Sequence, residues 1–133
     1  MDLIAFSRLS GILLNPFDGA DEIDPNHNMI KGRGGAMFKE KLLISSSPQT
    51  FIIADPSKMV SKLGSRFPVP VEIFPDALIH ADQALRSLSP VDIKLRMAQG
   101  KDGPIITENG NLILDVWFNY MVKRKHWKSI NSL

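Results

Sequence analysis

GILLNPFDGADEIDPNHNMIKGRGGAMFKEKLLISSSPQTFIIA, residues 11–54, decides the fold. Two apolar runs bounded by turn residues, Gly11–Leu14 and Thr50–Ala54, read as strands. Between them Ala36–Ser46 follows a run of glycines and is rich in Met, Leu, Lys and Glu, which predicts a helix. Strand, loop, helix and strand in that order make a βαβ unit around a parallel sheet.

Working outward, Pro70–Phe74 is a third apolar strand. The second half changes character. Asp76–Ser87 reads as a helix, Asp92–Met97 as a strand of alternating polarity, and Leu112–Phe118 as another, with Pro104 and Asn109–Gly110–Asn111 marking turns. This predicts a small α+β unit packed beside the parallel sheet. Residues 1–68, 69–118 and 119–133 are the expected divisions, the last a basic tail carrying Lys123, Arg124, Lys125 and Lys128.

Composition narrows the functional classes. With 133 residues, 44% hydrophobic and 23% charged, the chain can bury a core of its own. Sixteen basic against 14 acidic residues give a net charge of +2, which suits an anionic small molecule and does not demand nucleic acid. The absence of cysteine removes disulfides, thiolate nucleophiles and Cys-based zinc sites, and is compatible with a reducing cytoplasm. No apolar run approaches the roughly 18 residues of a membrane span. Met1–Leu14 has a basic residue in its apolar stretch and no small-residue cleavage site, so it reads as structure and not as a signal peptide.

Four places could carry chemistry. Asp18–Glu22 follows a predicted strand, at the edge where open α/β sheets bind ligands, and its acids could meet sugar hydroxyls; an acidic turn is the commoner reading of that spacing. Lys31–Gly35 leads into a helix start, where free amides and a cation would stabilise an oxyanion, although glycine-rich turns are often only loops. Glu40, one turn into the helix and on the face of Ala36, Leu43 and Ile44, should be partly desolvated and a better base for it; a surface acid paired with Lys39 or Lys41 is the plainer alternative. Lys58, after the second strand, either meets a phosphate or sugar oxygen or is solvated in a short helix. His27, His80 and His126 lack ligand spacing, so no metal site is expected. Trp117, Tyr120 and Trp127 among the tail's cations more simply cover apolar surface than bind nucleic acid.

In order and spacing these pieces resemble the type A ribose-5-phosphate isomerases. The resemblance rests on DGADEIDPNHNMIKGRGGAMFKEK, FIIADPSKMVSKLG, FPVPVEIFP and GPIITENGNLILDV, which cover most of Asp18–Val116. It implies an α/β fold, a partial Rossmann-like parallel sheet with helices plus a small incomplete α+β lid. It also implies a cytoplasmic enzyme of the pentose phosphate pathway that interconverts ribose 5-phosphate and ribulose 5-phosphate without cofactor or metal, without nucleic acid or membrane as partner, and in some form of homo-oligomer. Carried over by position, Glu40 resembles the base between C2 and C1. Asp18, Gly19, Ala20 and Asp21, with Lys31, Gly32, Arg33 and Gly34, resemble the substrate loops. Lys31 would steady the enediolate, Asp18 and Asp21 would shuttle protons, with Asp18 a candidate for ring opening, and Lys58 matches a further substrate lysine.

The departures set their own expectations. Nothing before Asp18 matches the family's phosphate-cradling loop, and Asn15, Pro16 and Phe17 interrupt the strand leading into the acidic motif. Arg33 stands where a glycine is expected, restricting the backbone and inserting a bulky cation that binds phosphate or blocks the pocket. Asn119–Leu133 looks unrelated to the family's closing helix and strand. The alternatives to an isomerase are a sugar-phosphate sensor and an inactive paralogue.

Overall fold

The computed structural model describes residues 15–119. The expected strand Gly11–Leu14, together with Tyr120, His126, Trp127 and the cations of the tail, lies outside them.

The βαβ unit is present among the described residues. Strand β1, Phe17–Asp18, pairs in parallel with β4, Phe51–Ile52, and helix α1, Met37–Ser46, connects them. The expected interruption at Asn15–Phe17 does not break the pairing, because the Pro16 carbonyl accepts from Phe51 N (2.9 Å) although proline has no N–H to give. Phe17 and Phe51 are register partners on one face, and their rings stack with centroids 5.1 Å apart. Two further short strands, β2 (Glu22–Ile23) and β3 (Met29–Ile30), run antiparallel. Asp24 closes the turn between them by accepting from Asn26 N and Asn28 N, both at 2.9 Å, while His27 takes the left-handed conformation (φ 62°). This hairpin returns the chain from the DGADE loop to Lys31.

The remainder is a three-stranded antiparallel sheet in the order β5–β7–β6, from β5 (Val69–Ile73), β6 (Asp92–Leu95) and β7 (Leu112–Trp117). The helix expected at Asp76–Ser87 is a 3-10 turn, Pro75–Ala77, continued by α2, Leu78–Arg86. Ala81 and Leu85, four residues apart, point into the core, and Asp82 and Arg86 pair on the outside at 2.7 Å. Beyond β6, Met97 bridges to Pro104, which therefore pairs as well as turns. β7 is central and covered on both faces: Leu112, Leu114 and Val116 pack with Ile73, Ala81 and Leu85, while Ile113 lies behind the glycine loop, 3.5 Å from where a Cβ on Gly35 would sit. A second cluster gathers Ile30, Val60, Leu63 and Val69, and Val71 and Phe118 pack against both clusters. The sheet thus backs the loops that carry the candidate site.

Candidate active site

β1 ends in Asp18, whose Oδ1 accepts from Gly19 N at 2.7 Å. The hairpin then brings Lys31 back beside it. Lys31 Nζ lies 2.7 Å from Asp18 Oδ2 and 3.5 Å from Glu40 Oε2, and donates to the Gly19 carbonyl. One ammonium is therefore bracketed by two carboxylates, on side chains only 20%, 22% and 30% exposed for Lys31, Asp18 and Glu40. Burial pushes the Glu40 carboxyl above the usual glutamate range, with Lys31 opposing the rise and the neighbouring carboxylates of Asp18 and Asp21 adding to it. Glu40 thus shares the Lys31 ammonium with Asp18.

Asp21 faces the glycine loop. Its Oδ2 accepts from Arg33 N at 3.0 Å and its own N–H donates to the Ile30 carbonyl at 2.8 Å. Gly32 is required as glycine: at φ +94° a Cβ would meet the Met37 side chain at 2.6 Å and Pro70 at 3.3 Å. Arg33, by contrast, carries no positive φ, so a side chain is accommodated at this position without left-handed strain. Its guanidinium sits 4.1 Å from the centroid of the Phe67 ring, and Arg96 donates to its carbonyl at 2.9 Å while clasping Asp115 with two further N–H groups. Beneath these residues a cavity of about 460 Å³ is lined by Asp21, Arg33, Arg66, Phe67, Arg96 and Asp115, among others. Asp21 and Arg33 line it, whereas Lys31 and Glu40 do not.

The structure brings together Asp18, Gly19, Asp21, Lys31, Gly32, Arg33 and Glu40. Ala20 is buried and offers the loop its backbone, and Gly34 is exposed with open space around it. Lys58 ends a 3-10 turn (Pro56–Lys58) capped by Asp55, and makes no hydrogen bond or ion pair with Asp18, Asp21, Lys31 or Glu40. His80 is exposed, and no group of three or more His, Asp or Glu among the described residues could hold a metal.

Two residues that sequence reasoning passed over hold this arrangement. Glu22 is fully buried, and its carboxylate accepts from Gly64 N, Arg66 N and Phe67 N at 2.6, 2.7 and 2.9 Å, pinning the acidic loop to a loop over 40 residues away. Arg96 ties the three-stranded sheet to the glycine loop through the Arg33 carbonyl. Glu22 belongs to the DGADE string, but the usual fate of an acid in a turn is solvation, and nothing local signals burial.

Comparison with known proteins identifies the family. The family model for ribose 5-phosphate isomerase A (phosphoriboisomerase A) matches residues 5–133. The match runs through the basic tail to residue 133, so the expectation that Asn119–Leu133 is unrelated to the family is corrected. Ribose-5-phosphate isomerase A of Thermosynechococcus vestitus is 49% identical over 102 residues, covering 77% of this chain and 43% of that protein. The Prochlorococcus marinus protein of the same name is 43% identical over 133 residues, 98% of this chain and 55% of that one. The chain thus spans about half the length of these relatives. Among solved structures, ribose 5-phosphate isomerase A from Methanocaldococcus jannaschii superposes with a TM-score of 0.84 at 36% identity, covering 94% of this chain and 56% of that one. A D-ribose-5-phosphate isomerase in complex with phospho-erythronic acid matches equally well, at 35% identity. With a family match across nearly the whole sequence and the acidic loop, glycine loop and helix assembled as described, the chain belongs to the ribose 5-phosphate isomerase A family.

Proposed function

We propose that this chain carries the proton-transfer site of an aldose–ketose isomerase acting on D-ribose 5-phosphate and D-ribulose 5-phosphate in the cytoplasm. The observation that carries the reading is the single ammonium of Lys31 held between the carboxylates of Asp18 and Glu40. Glu40, its proton affinity raised by burial, removes the proton from C2 of the open-chain aldose. The electron pair moves into a C1–C2 double bond and leaves negative charge on O1, beside Lys31. Glu40 returns the proton to C1, while Asp18 or Asp21 carries the O2 proton to O1, which leaves a ketone at C2.

Phospho-erythronic acid, bound by one structural relative, supports the substrate class, since its carboxylate presents two oxygens in a plane as an enediolate does. In this reading residues 1–68 hold the substrate loops, 69–118 form a lid over them and 119–133 are a basic tail. Lys58 serves as a remote contact to the substrate's phosphate, and neither a metal nor a nucleic acid takes part. The test is ketose formation from ribose 5-phosphate by this chain and by Glu40→Gln. A loss of roughly 10²–10⁴-fold is expected for removal of a general base. Equal rates for the two proteins, at the uncatalysed background, would sink the catalytic reading for this chain; ligand-induced thermal stabilisation without turnover would favour a sugar-phosphate sensor.

A further inference from the structure

The helix that presents Glu40 lacks the supports helices usually have. α1 buries none of its residues, and its N-cap position, Ala36, has no side chain that can accept a hydrogen bond. The first-turn amides therefore need an acceptor from elsewhere, and one comes from 34 residues away: Glu72 Oε2, on β5, accepts from Phe38 N at 3.2 Å. The other oxygen of the same carboxylate, Oε1, accepts from Thr107 Oγ1 at 2.8 Å and from Asn111 Nδ2 at 3.0 Å. Thr107 is itself buried, and its hydroxyl accepts from Asn111 N at 3.1 Å, closing the turn that precedes β7. One carboxylate thus joins three elements: the middle of β5, the 107–111 turn and the start of the helix two residues before Glu40.

We propose that Glu72 is a positioning residue, whose carboxylate fixes the first turn of α1, and with it Glu40, to the seated 107–111 turn. The negative charge suits the positive end of the helix, and the two-sided hydrogen bonding leaves the carboxylate little freedom to turn away. Displacement of the turn releases Oε1, lets the carboxylate rotate and frees Phe38 N. The base is then presented correctly only while the three-stranded sheet and its turn are closed against the helix. The inference rests on Glu40 being the base, and its test must separate the two ideas.

The test uses the full chain with Glu72→Ala, Glu72→Gln and Asn111→Ala. Two readouts are followed by NMR: amide exchange at Phe38 and Lys39, and the titration of the Glu40 carboxyl. In Glu72→Ala, exchange at Phe38 should accelerate about tenfold, the equivalent of one ordinary hydrogen bond, and Glu40 should titrate closer to the usual glutamate range as its turn loosens into water. Asn111→Ala should move both readouts the same way and less far, although it touches neither helix nor base. Glu72→Gln should keep Phe38 exchange closer to wild type than Glu72→Ala, because a glutamine carbonyl can still accept from Phe38 N, although its NH2 loses the Thr107 contact, whose oxygen already accepts from Asn109 N and Asn111 N. In the isomerase assay the Ala variants should lose kcat and keep KM. Unchanged Phe38 exchange and Glu40 titration in Glu72→Ala and Asn111→Ala, with β7 amides still protected, would overturn the proposal. Faster Phe38 exchange together with a wild-type Glu40 that titrates as an ordinary glutamate would uphold the anchor and sink the base.

Discussion

The three-stranded sheet and the charged loops beside it are built on different principles. β7 lies between two partners and buries Ile113 and Val116 completely, so that region is held by apolar packing. The loops carrying Asp18, Lys31 and Glu40 stand on strands of two residues and a helix that buries no side chain. What fixes them is a set of polar contacts reaching far along the chain: Glu22 to Gly64–Phe67, Arg96 to Arg33, and Glu72 to Phe38. The contrast teaches that stability and reactivity are separable here. Substitutions in the sheet should unfold the protein, and those in the polar ties should loosen the site within a folded one.

Ile113→Ala should have the largest effect on stability. Truncating a fully buried isoleucine in the central strand should cost about 2–5 kcal/mol in urea unfolding. A loss under about 1 kcal/mol would break the contrast, since the sheet would not then be the stabilising part.

Glu22→Gln comes next. A glutamine amide turns its NH2 toward one of the three backbone N–H groups that the carboxylate satisfies, leaving that donor unpaired at about 1–3 kcal/mol. Faster amide exchange should be confined to Gly64, Arg66 and Phe67 and to the acidic loop. A change within about 0.5 kcal/mol, the range of ordinary surface substitutions, would show that the clamp does not hold the loop.

The smallest effect is the pH dependence of Glu40→Gln. The folded-state pKa of Glu40 lies above its ordinary value, so the native state favours the protonated form. Its contribution to stability is complete below the ordinary glutamate range and is lost as pH rises through the raised value. Thermal unfolding should therefore show the variant gaining on the wild type from acid toward neutral pH. The gain should stay below about 1 kcal/mol, because the carboxylate is 30% exposed and screened. A flat difference would mean that Lys31 offsets the burial completely.

Much of this was legible in the sequence because it is local. The apolar runs that became β4, β5 and β7, the helices, and the loop–helix spacing that sets Glu40 beside Lys31 all follow from neighbours within one or two turns of chain. β2 and β3 were not legible, since two residues cannot display an alternating pattern. Pro16, read as a breaker, still serves the pairing of β1 with β4 through its carbonyl. Glu22, Glu72 and Arg96 stayed hidden for a different reason: their partners lie 19 to 63 residues away, and a solvated acid or arginine has the same local signature as an anchored one. Lys58, nominated but outside the cluster, shows the converse, a plausible local context with no contact to Lys31 or Glu40.

The Glu22 clamp also bears on the order in which the protein takes shape during synthesis. Its acceptor and its last donor are 45 residues apart, so the acidic loop cannot be locked until Phe67 has emerged from the ribosome. By then the hairpin and α1 have already been made. The loop bearing Asp18 and Asp21, though made before its clamp, is therefore set among the later parts of this stretch of chain.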